Sequence, residues 1–465
     1  MNILSLAREA WNDGADLRSR RQRFKAFTYG RQWDDTVVTP RGEIADEGSL
    51  AVRAGQHPLT NNMIRQLVKC VIGNFRSSLS SADPAASVSV DPETARRNSL
   101  LELDCRMLEE FLISGCAVQR VTMENRPGGC GVWVDNVNPR DFFVNSFCDP
   151  RGFDIELCGM LHSMSLREVL MRFSRGDDAL RRRIESAYTA SADSRIRSAT
   201  GAYNSSPDFF TAPDGRCRVI EVWTLESRAV MRCHDRSTGS YGVVTASASA
   251  EIESENRRRE AEGIPPVITR PCTTLRWHCR MLAPDGLVLD EFDSPYRHGL
   301  HPFAVKFFPL TDGEVHSFVE DIVDQQKHIN RLITLIDHIM SVSAKGVLLF
   351  PAGQKLDSMS WADIADRWAK CDSIIPYDPR QSAHFPRQVV SGGENVGAYQ
   401  LLGMQMNLMQ QISGVTEALQ GRITTPNASA ALFDSQLRSS AIALLDLLDS
   451  FNSFRLQRNT LIINS

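Results

Sequence analysis

The sequence predicts an α+β fold, from three observations. Apolar residues recur at spacings of three, four and seven in two long stretches. Phe318, Ile322, Ile329, Leu332, Ile336 and Ile339 lie within 313–345, and Val396, Leu401, Met404, Leu408 and Ile412 within 394–413. Each set is one buried face of a long helix. Elsewhere the period drops to two, as in 116–123 and 131–137, which reads as a hairpin around Pro127, Gly128 and Gly129. Between the two long helices, short strand candidates at 346–350, 373–377 and 388–390 surround a helix over 361–368, a compact α/β insert.

Composition bounds the rest. The 465 residues allow two or three domains and a sizeable core. A net charge of -4 is too small for a protein that grips nucleic acid by neutralising phosphates. Eleven cysteines without a C-x-x-C pair fit reduced thiols better than a disulfide framework. The start, MNILSLAREAW, lacks a basic segment followed by an apolar one, and no apolar run approaches membrane-spanning length. Secretion and membrane spanning are not expected.

In chain order, 4–29 is a helical pattern carrying Arg18, Arg20, Arg21, Arg23 and Lys25, read first as a solvated face and otherwise as a contact with DNA, a neighbouring subunit or the capsid. A helix over 58–73 follows, with Asn61 or Asn62 as N-cap. Residues 100–115 form an amphipathic helix closed by Gly115. Ser165 and Glu168 stand at capping-box spacing ahead of a helix to 173. The polar stretch 174–213 holds a helix over 177–190 and then a linker. Strand 217–225 is expected to pair with 228–233, and 237–266 is a solvated insertion around a charged helix over 250–263. A hairpin, 269–282 with 287–292, and a strand at 303–308 lead into the central helix over 317–342, about 40 Å long at ~1.5 Å per residue. After the second long helix, Gly414, Gly421 and Pro426 punctuate the chain before a final apolar helix over 428–456.

The run EDIVDQQKHIN (320–330) resembles the Q-x-x-I-N helix start of tailed-phage portal proteins. SPYRHGLHPF (294–303), PLTDGE (309–314) and ISGVTEALQG (412–421) resemble segments that flank the stem helices of that family, in the same order. Tyr29 to Trp33 is similar to the family's Y-x-G-x-Q-W signature, with Tyr29 abutting Gly30. The resemblance implies a wing over 1–312 with polar insertions near 174–213 and 237–266, a first stem helix over 313–345 and a clip over 346–393. A second stem helix over 394–413, a tunnel loop over 414–427 and a wing or crown helix over 428–465, short or incomplete in form, complete it. It implies a head-to-tail ring, typically a dodecamer, at one capsid vertex of a phage or prophage of gut bacteria, assembled in the host cytoplasm. DNA is packaged and ejected through the ring, with the terminase large subunit, capsid or scaffold and head completion proteins as partners, no membrane and no cofactor. Phe318, Ile322, Ile329, Leu332, Ile336, Ile339, Leu401, Met404 and Leu408 become subunit-interface candidates, because two isolated apolar helix faces bury too little alone. Lys327, Arg331, Lys345 and Arg422 become candidates for weak, non-specific contact with duplex DNA in the channel, and Gly414, Gly421, Thr424 and Pro426 mark the tunnel loop.

Enzymatic readings find less support. No G-x-x-x-x-G-K-[ST] or H-E-x-x-H pattern occurs, so a packaging motor must be another protein. Cys272, His278 and Cys279 make a poor metal site, since adjacent strand residues point to opposite faces. A metal-dependent nuclease subunit built on Glu320, Asp321 and Asp324 is the alternative, though carboxylates at a helix start are explained by the macrodipole. His298 and His301 flank Gly299 in a turn. A scaffolding or adaptor protein without a channel is the third reading.

Overall fold

The computed structural model of the chain describes residues 2–39, 42–81, 90–127, 129–196, 208–245, 248–343, 347–352, 355–369, 375–378, 385–389, 396–417, 419–420 and 442–465. In chain order these form α1 (Ile3–Asp13), α2 (Ala15–Thr28), β1 (Thr36–Val38), β2 (Ile44–Asp46), α3 (Glu47–Arg53), α4 (Met63–Ser81), α5 (Pro92–Arg97) and α6 (Leu100–Ser114). Next come β3 (Cys116–Arg126), β4 (Gly129–Asn136), β5 (Phe142–Val144), β6 (Leu157–Met164), α7 (Leu166–Phe173), α8 (Asp178–Ile196), β7 (Cys217–Asp235), β8 (Ser240–Thr245) and α9 (Ser249–Ala261). Then follow β9 (Ile268–Leu282), β10 (Val288–Asp293), β11 (Phe303–Phe307), β12 (Pro309–Thr311), β13 (Glu314–Val315), α10 (Phe318–Ser343), β14 (Val347–Leu349), α11 (Trp361–Ala369), β15 (Arg387–Val389), α12 (Val396–Ser413) and α13 (Leu445–Ile463). The fold is α+β. Two compact units divide it: Met1–Gln22, Ile72–Ser317 and Leu445–Ser465 form the first, Arg23–Val71 and Phe318–Leu444 the second.

The first unit is built on antiparallel sheets. One runs β10-β9-β7-β6-β5 with β8 added to the far end of β7, and a second runs β11-β3-β4. Strand β7 alternates between two cores. Cys217, Val219 and Trp223 face a cluster that includes Phe142, Cys279 and Phe303, whereas Ile220 and Val222 face a second cluster with Ala7 and Trp11 of α1. Burial on both faces explains why the run CRVIEVW is almost continuously apolar. Its two exceptions are Arg218, which donates to the Asp208 and Thr211 carbonyls, and Glu221, which lies on the same face as Val219 and Trp223. The carboxylate is fully buried and accepts from His162 Nε2 at 2.6 Å, Trp223 Nε1 at 2.8 Å and Arg120 Nη2 at 3.3 Å. Burial pushes its pKa up, but the Arg120 charge and the bonds from His162 and Trp223 outweigh that and hold it down at about 2.

Helix α13 closes the other side of the small sheet. Arg458, 1% exposed, donates Nη1 to Asp104 of α6 at 2.7 Å and to Gln119 of β3 at 3.3 Å, and Arg455 donates to the same aspartate at 2.9 Å. Phe75, Phe111, Phe451 and Phe454 pack against one another edge-on or tilted. Gly115 ends α6 at φ +71°, where a side chain would also strike Val315 and two carbonyl oxygens, so the predicted C-cap glycine is required twice over.

Several boundaries differ from the sequence expectation. The basic helix 4–29 is two helices that break at Gly14; Arg18 folds back over the Trp11 ring at 3.6 Å and donates to the Trp11 carbonyl at 2.6 Å, capping α1. Residues 228–233 do not fold back on 217–225 but continue it, because Glu226 and Ser227 supply no turn, and β7 pairs along its length with β9. The insertion 237–266 contains β8, and α9 is pinned by Arg259 on Asp235 at 2.9 Å, so it is not a bare solvated excursion. Helix α4 runs past Gly73 to Ser81. Of the strand candidate 373–377, residues 375–377 are not strand and 373–374 lie outside the described residues; of the helix 428–456, residues 428–441 do so too.

Replacing Glu221 by Gln leaves the buried Arg120 only Glu124, at 3.6 Å, as counter-charge, and a loss of about 3 kcal/mol is expected in urea unfolding. Because the folded carboxyl titrates below its unfolded value of ~4.3, its contribution is complete above that value and is lost as pH falls towards 2. The wild-type midpoint is therefore expected to drop between pH 5 and 2 more steeply than that of Glu221→Gln.

Candidate functional site

The second unit is organised by α10. Its first turns bury Phe318, Val319, Ile322 and Val323, the apolar face that the sequence pattern predicts. From there one row of the helix becomes polar while remaining buried: Gln326, Asn330 and Thr334, at i, i+4 and i+8. Each member holds the backbone of residues 59–64. The amide of Leu59 donates to Thr334 Oγ1 at 3.1 Å and that of Asn61 to Asn330 Oδ1 at 3.2 Å. Gln326 Nε2 donates to the Asn61 carbonyl at 2.7 Å, while its Oε1 accepts from Met63 and Ile64 at 3.0 and 3.2 Å. Four residues of helix rise about 6 Å and two residues of extended chain about 6.6 Å, so the two repeats stay in step over three rungs.

This row explains two of the sequence motifs. Gln326 and Asn330 are the Gln and Asn of the Q-x-x-I-N pattern, and Ile329 between them is fully buried. Gln32, from the aromatic-Gly-Gln-Trp segment, accepts from Asn330 Nδ2 at 2.6 Å and donates to the Phe27 carbonyl at 2.8 Å. Trp33 Nε1 donates to the Leu59 carbonyl at 3.1 Å. Asn62, not Asn61, is the side-chain N-cap of α4, accepting from Arg65 at 3.0 Å; of the two amides before it, Met63 donates to the Asn61 carbonyl at 2.9 Å as well as to Gln326, and Ile64 is satisfied by Gln326.

Beside the polar row lies a charged one. Lys327, 13% exposed at its side chain, pairs with Asp35 and lies 3.6 Å from Glu47, and Arg331 pairs with Glu47. Arg23 forks onto Asp35 with two bonds of 3.0 Å. Burial raises the Asp35 pKa, but Arg23 and Lys327 outweigh it and hold the carboxyl below its usual range. The Lys327 charge is therefore spent inside its own unit, whereas Arg331 stays half-exposed. Lys345 and Arg422 lie outside the described residues, as do Gly421, Thr424 and Pro426. Arg18, Arg20, Arg21 and Arg23 of the basic cluster are likewise engaged, with Trp11, Asp16, Glu110 and Asp35, and do not form a free solvated face.

Helices α10 and α12 run antiparallel: Tyr399 Oη near the start of α12 donates to Met340 Sδ near the end of α10 at 3.0 Å. The ladder Val347↔Val389 to Leu349↔Arg387 ties together the ends of the segment between them. Phe318, Ile322, Ile329 and Ile336 are buried within the chain, so their burial does not wait for a neighbouring subunit. Leu332, Ile339 and Leu408 are half-buried. Leu401 and Met404 are exposed, with Leu335, Met340, Tyr399 and Ile412, a set of large apolar side chains on the two helices. Gly414 stops α12 at φ +66°, and a Cβ there would lie 2.8 Å from that of Ala443.

The remaining candidates carry no assembled chemistry. Asp321 and Asp324 are exposed and Glu320 is half-buried; among the described residues no cluster of His, Cys, Asp and Glu could hold a metal ion. His278 is bonded to Asp293 at 2.7 Å while Cys279 faces the core, and Cys272 lies seven residues away on the strand. His298 and His301 each accept a backbone N–H two residues on, at 3.0 and 3.2 Å. No helix among the described residues is long and apolar enough to cross a membrane.

Replacing Gln326 by Leu strands the Ile64 amide, at a cost of about 1–3 kcal/mol, and leaves the Met63 amide only the Asn61 carbonyl. Hydrogen exchange of those two amides is expected to accelerate ~10–100-fold relative to amides in the middle of α4; unchanged protection would show that the row does not hold the helix start.

Compared with protein-family models, the chain matches one described as phage P22-like portal protein over residues 4–463. No curated protein matches it.

Proposed function

Because the chain belongs to the phage P22-like portal protein family, we propose a role for the exposed apolar stripe of α10 and α12: it is the surface on which copies of the chain pack. A portal protein is a structural component of the virion, the connector between head and tail, and membership implies a homo-oligomeric ring with capsid and terminase partners. The single observation that carries the assignment is the exposure of Leu401, Met404, Tyr399 and Met340 on two packed helices, where a folded monomer gains nothing from leaving them in water.

On this reading α10 and α12 are the two stem helices, 346–393 the clip, 414–427 the tunnel loop, and 1–312 with 428–465 the wing and crown. The order of the elements along the chain supports it. The ring, a dodecamer in the usual family pattern, stands at the capsid vertex of a phage or prophage of gut bacteria and is assembled in the host cytoplasm. Genomic DNA passes through it, contacting Arg331, Lys345 and Arg422 transiently, while the terminase large subunit, scaffold and head completion proteins dock outside. The chain carries no catalytic activity or cofactor. Engagement of Lys327 and of four arginines of the basic cluster with internal partners supports weak DNA affinity.

Met404→Asp is expected to leave monomer stability within about 0.5 kcal/mol, since the side chain is exposed, and to shift particles from rings to monomers in sedimentation and electron microscopy. Undiminished rings would remove the stripe from the interface. Duplex DNA binding is expected to fall by well under three decades between ~50 and ~200 mM salt, against roughly three to five for proteins contacting six to ten phosphates; a slope of that steeper kind contradicts the passive conduit.

A further inference from the structure

A cleft of about 750 Å³ opens in the first unit between β9, the 294–301 turn, the 151–155 loop and the end of α13, within the ~300–1,000 Å³ range of ligand sites. Its polar equipment is one-sided. No Asp or Glu lines it, although the chain as a whole is net acidic. Arg276 and Arg297 line it and have no hydrogen-bond or ion-pair partner among the described residues; Arg151, the third guanidinium, is held by Asp149 at 2.9 Å.

Deeper in the cleft the pattern continues. Trp277 is 5% and His301 9% exposed. The Phe303 amide donates to His301 Nδ1, which forces the ring proton onto Nε2. Neither that Nε2–H nor the Trp277 indole N–H has an acceptor among the described residues, yet both atoms keep access to open space. Both donors open onto the cleft, so an occupant that brings acceptors can meet them directly. His298 repeats the arrangement in the half-buried wall, its Nδ1 taken by the Leu300 amide and its ring stacked on Tyr296 at 5.1 Å.

Between the donors the surface is apolar: Ile155 and Leu461 are buried in the wall, and Phe153, Leu275 and Leu300 stand exposed around it. We propose that this cleft docks an acidic segment of a partner protein, carboxylates on Arg276, Arg297, Trp277 and His301 and alternating aliphatic side chains on the apolar wall. Charge complementarity selects the acid, and the apolar rim favours a peptide over a sugar–phosphate strand, which has no side chains to fill it.

The probe is a fluorescein-labelled, end-capped hexapeptide of alternating Glu and Leu, titrated into the full chain and followed by anisotropy. Binding is expected to weaken at least tenfold when the peptide's Glu are replaced by Gln, and at least tenfold in the double variant Arg276→Gln/Arg297→Gln, whose positions are exposed and leave folding unaffected. Trp277→Phe keeps an aromatic side chain, removes the N–H, and is expected to weaken binding severalfold. Absence of binding at millimolar peptide, equal binding of the Gln peptide, an unaffected double variant, or displacement by a single-stranded hexanucleotide as effective as by unlabelled peptide would each overturn the proposal.

Discussion

The second unit depends on one interaction: the buried polar row of α10 holds the segment that starts α4 and supplies acceptors to its first amides. A helix that begins inside a protein leaves its leading N–H groups unpaired unless a side chain reaches them. Gln326 meets two of them with one oxygen while its nitrogen takes a carbonyl, and Asn330 links the same node to Gln32. Every group in the row is satisfied by another, so the row specifies a register as well as contributing energy: a one-residue slip of the 59–64 segment would leave several buried polar atoms unpaired at once.

The first unit shows the same logic with charge. Glu221 sits where an apolar residue would continue the pattern of β7, and it is tolerable because Arg120, His162 and Trp223 arrive from two strands and its own. Asp104 plays the matching part between α6 and α13 through Arg455 and Arg458. Such pairs add less net stability than their Coulomb attraction suggests, since both partners lose water. Their effect is on which elements can meet. A misplaced α13 would bury Arg458 unpaired.

Once these internal obligations are counted, the outward-facing chemistry is small. Most of the arginines in the basic segment near the N-terminus are used up, and Lys327 with them. Among the described residues, exposed apolar side chains on α10 and α12 and a donor-lined cleft in the first unit stand out. The homo-oligomeric assembly that the family implies calls for surfaces of this type.

Much of this was legible in the residues. Helical periodicity located α10, α11 and α12, period-two alternation the strands β3, β4, β9 and β10, and local caps at Ser165 and Gly115 appear as expected, because these signals are carried by near neighbours in the chain. The order of the motifs identified the family. Tertiary structure alone decided what those residues do. Lys327 and Arg331 read as free cations because Asp35 and Glu47, which neutralise them, lie about 290 residues away, a separation no periodicity reports. Ile336 and Met404 carry the same apolar signal, and only packing shows that one is buried within the chain and the other exposed. The sequence thus determined where helices and strands form, through local backbone and side-chain preferences. Which faces are consumed within the chain and which remain for a partner was settled by long-range contacts, which depend on the fold as a whole.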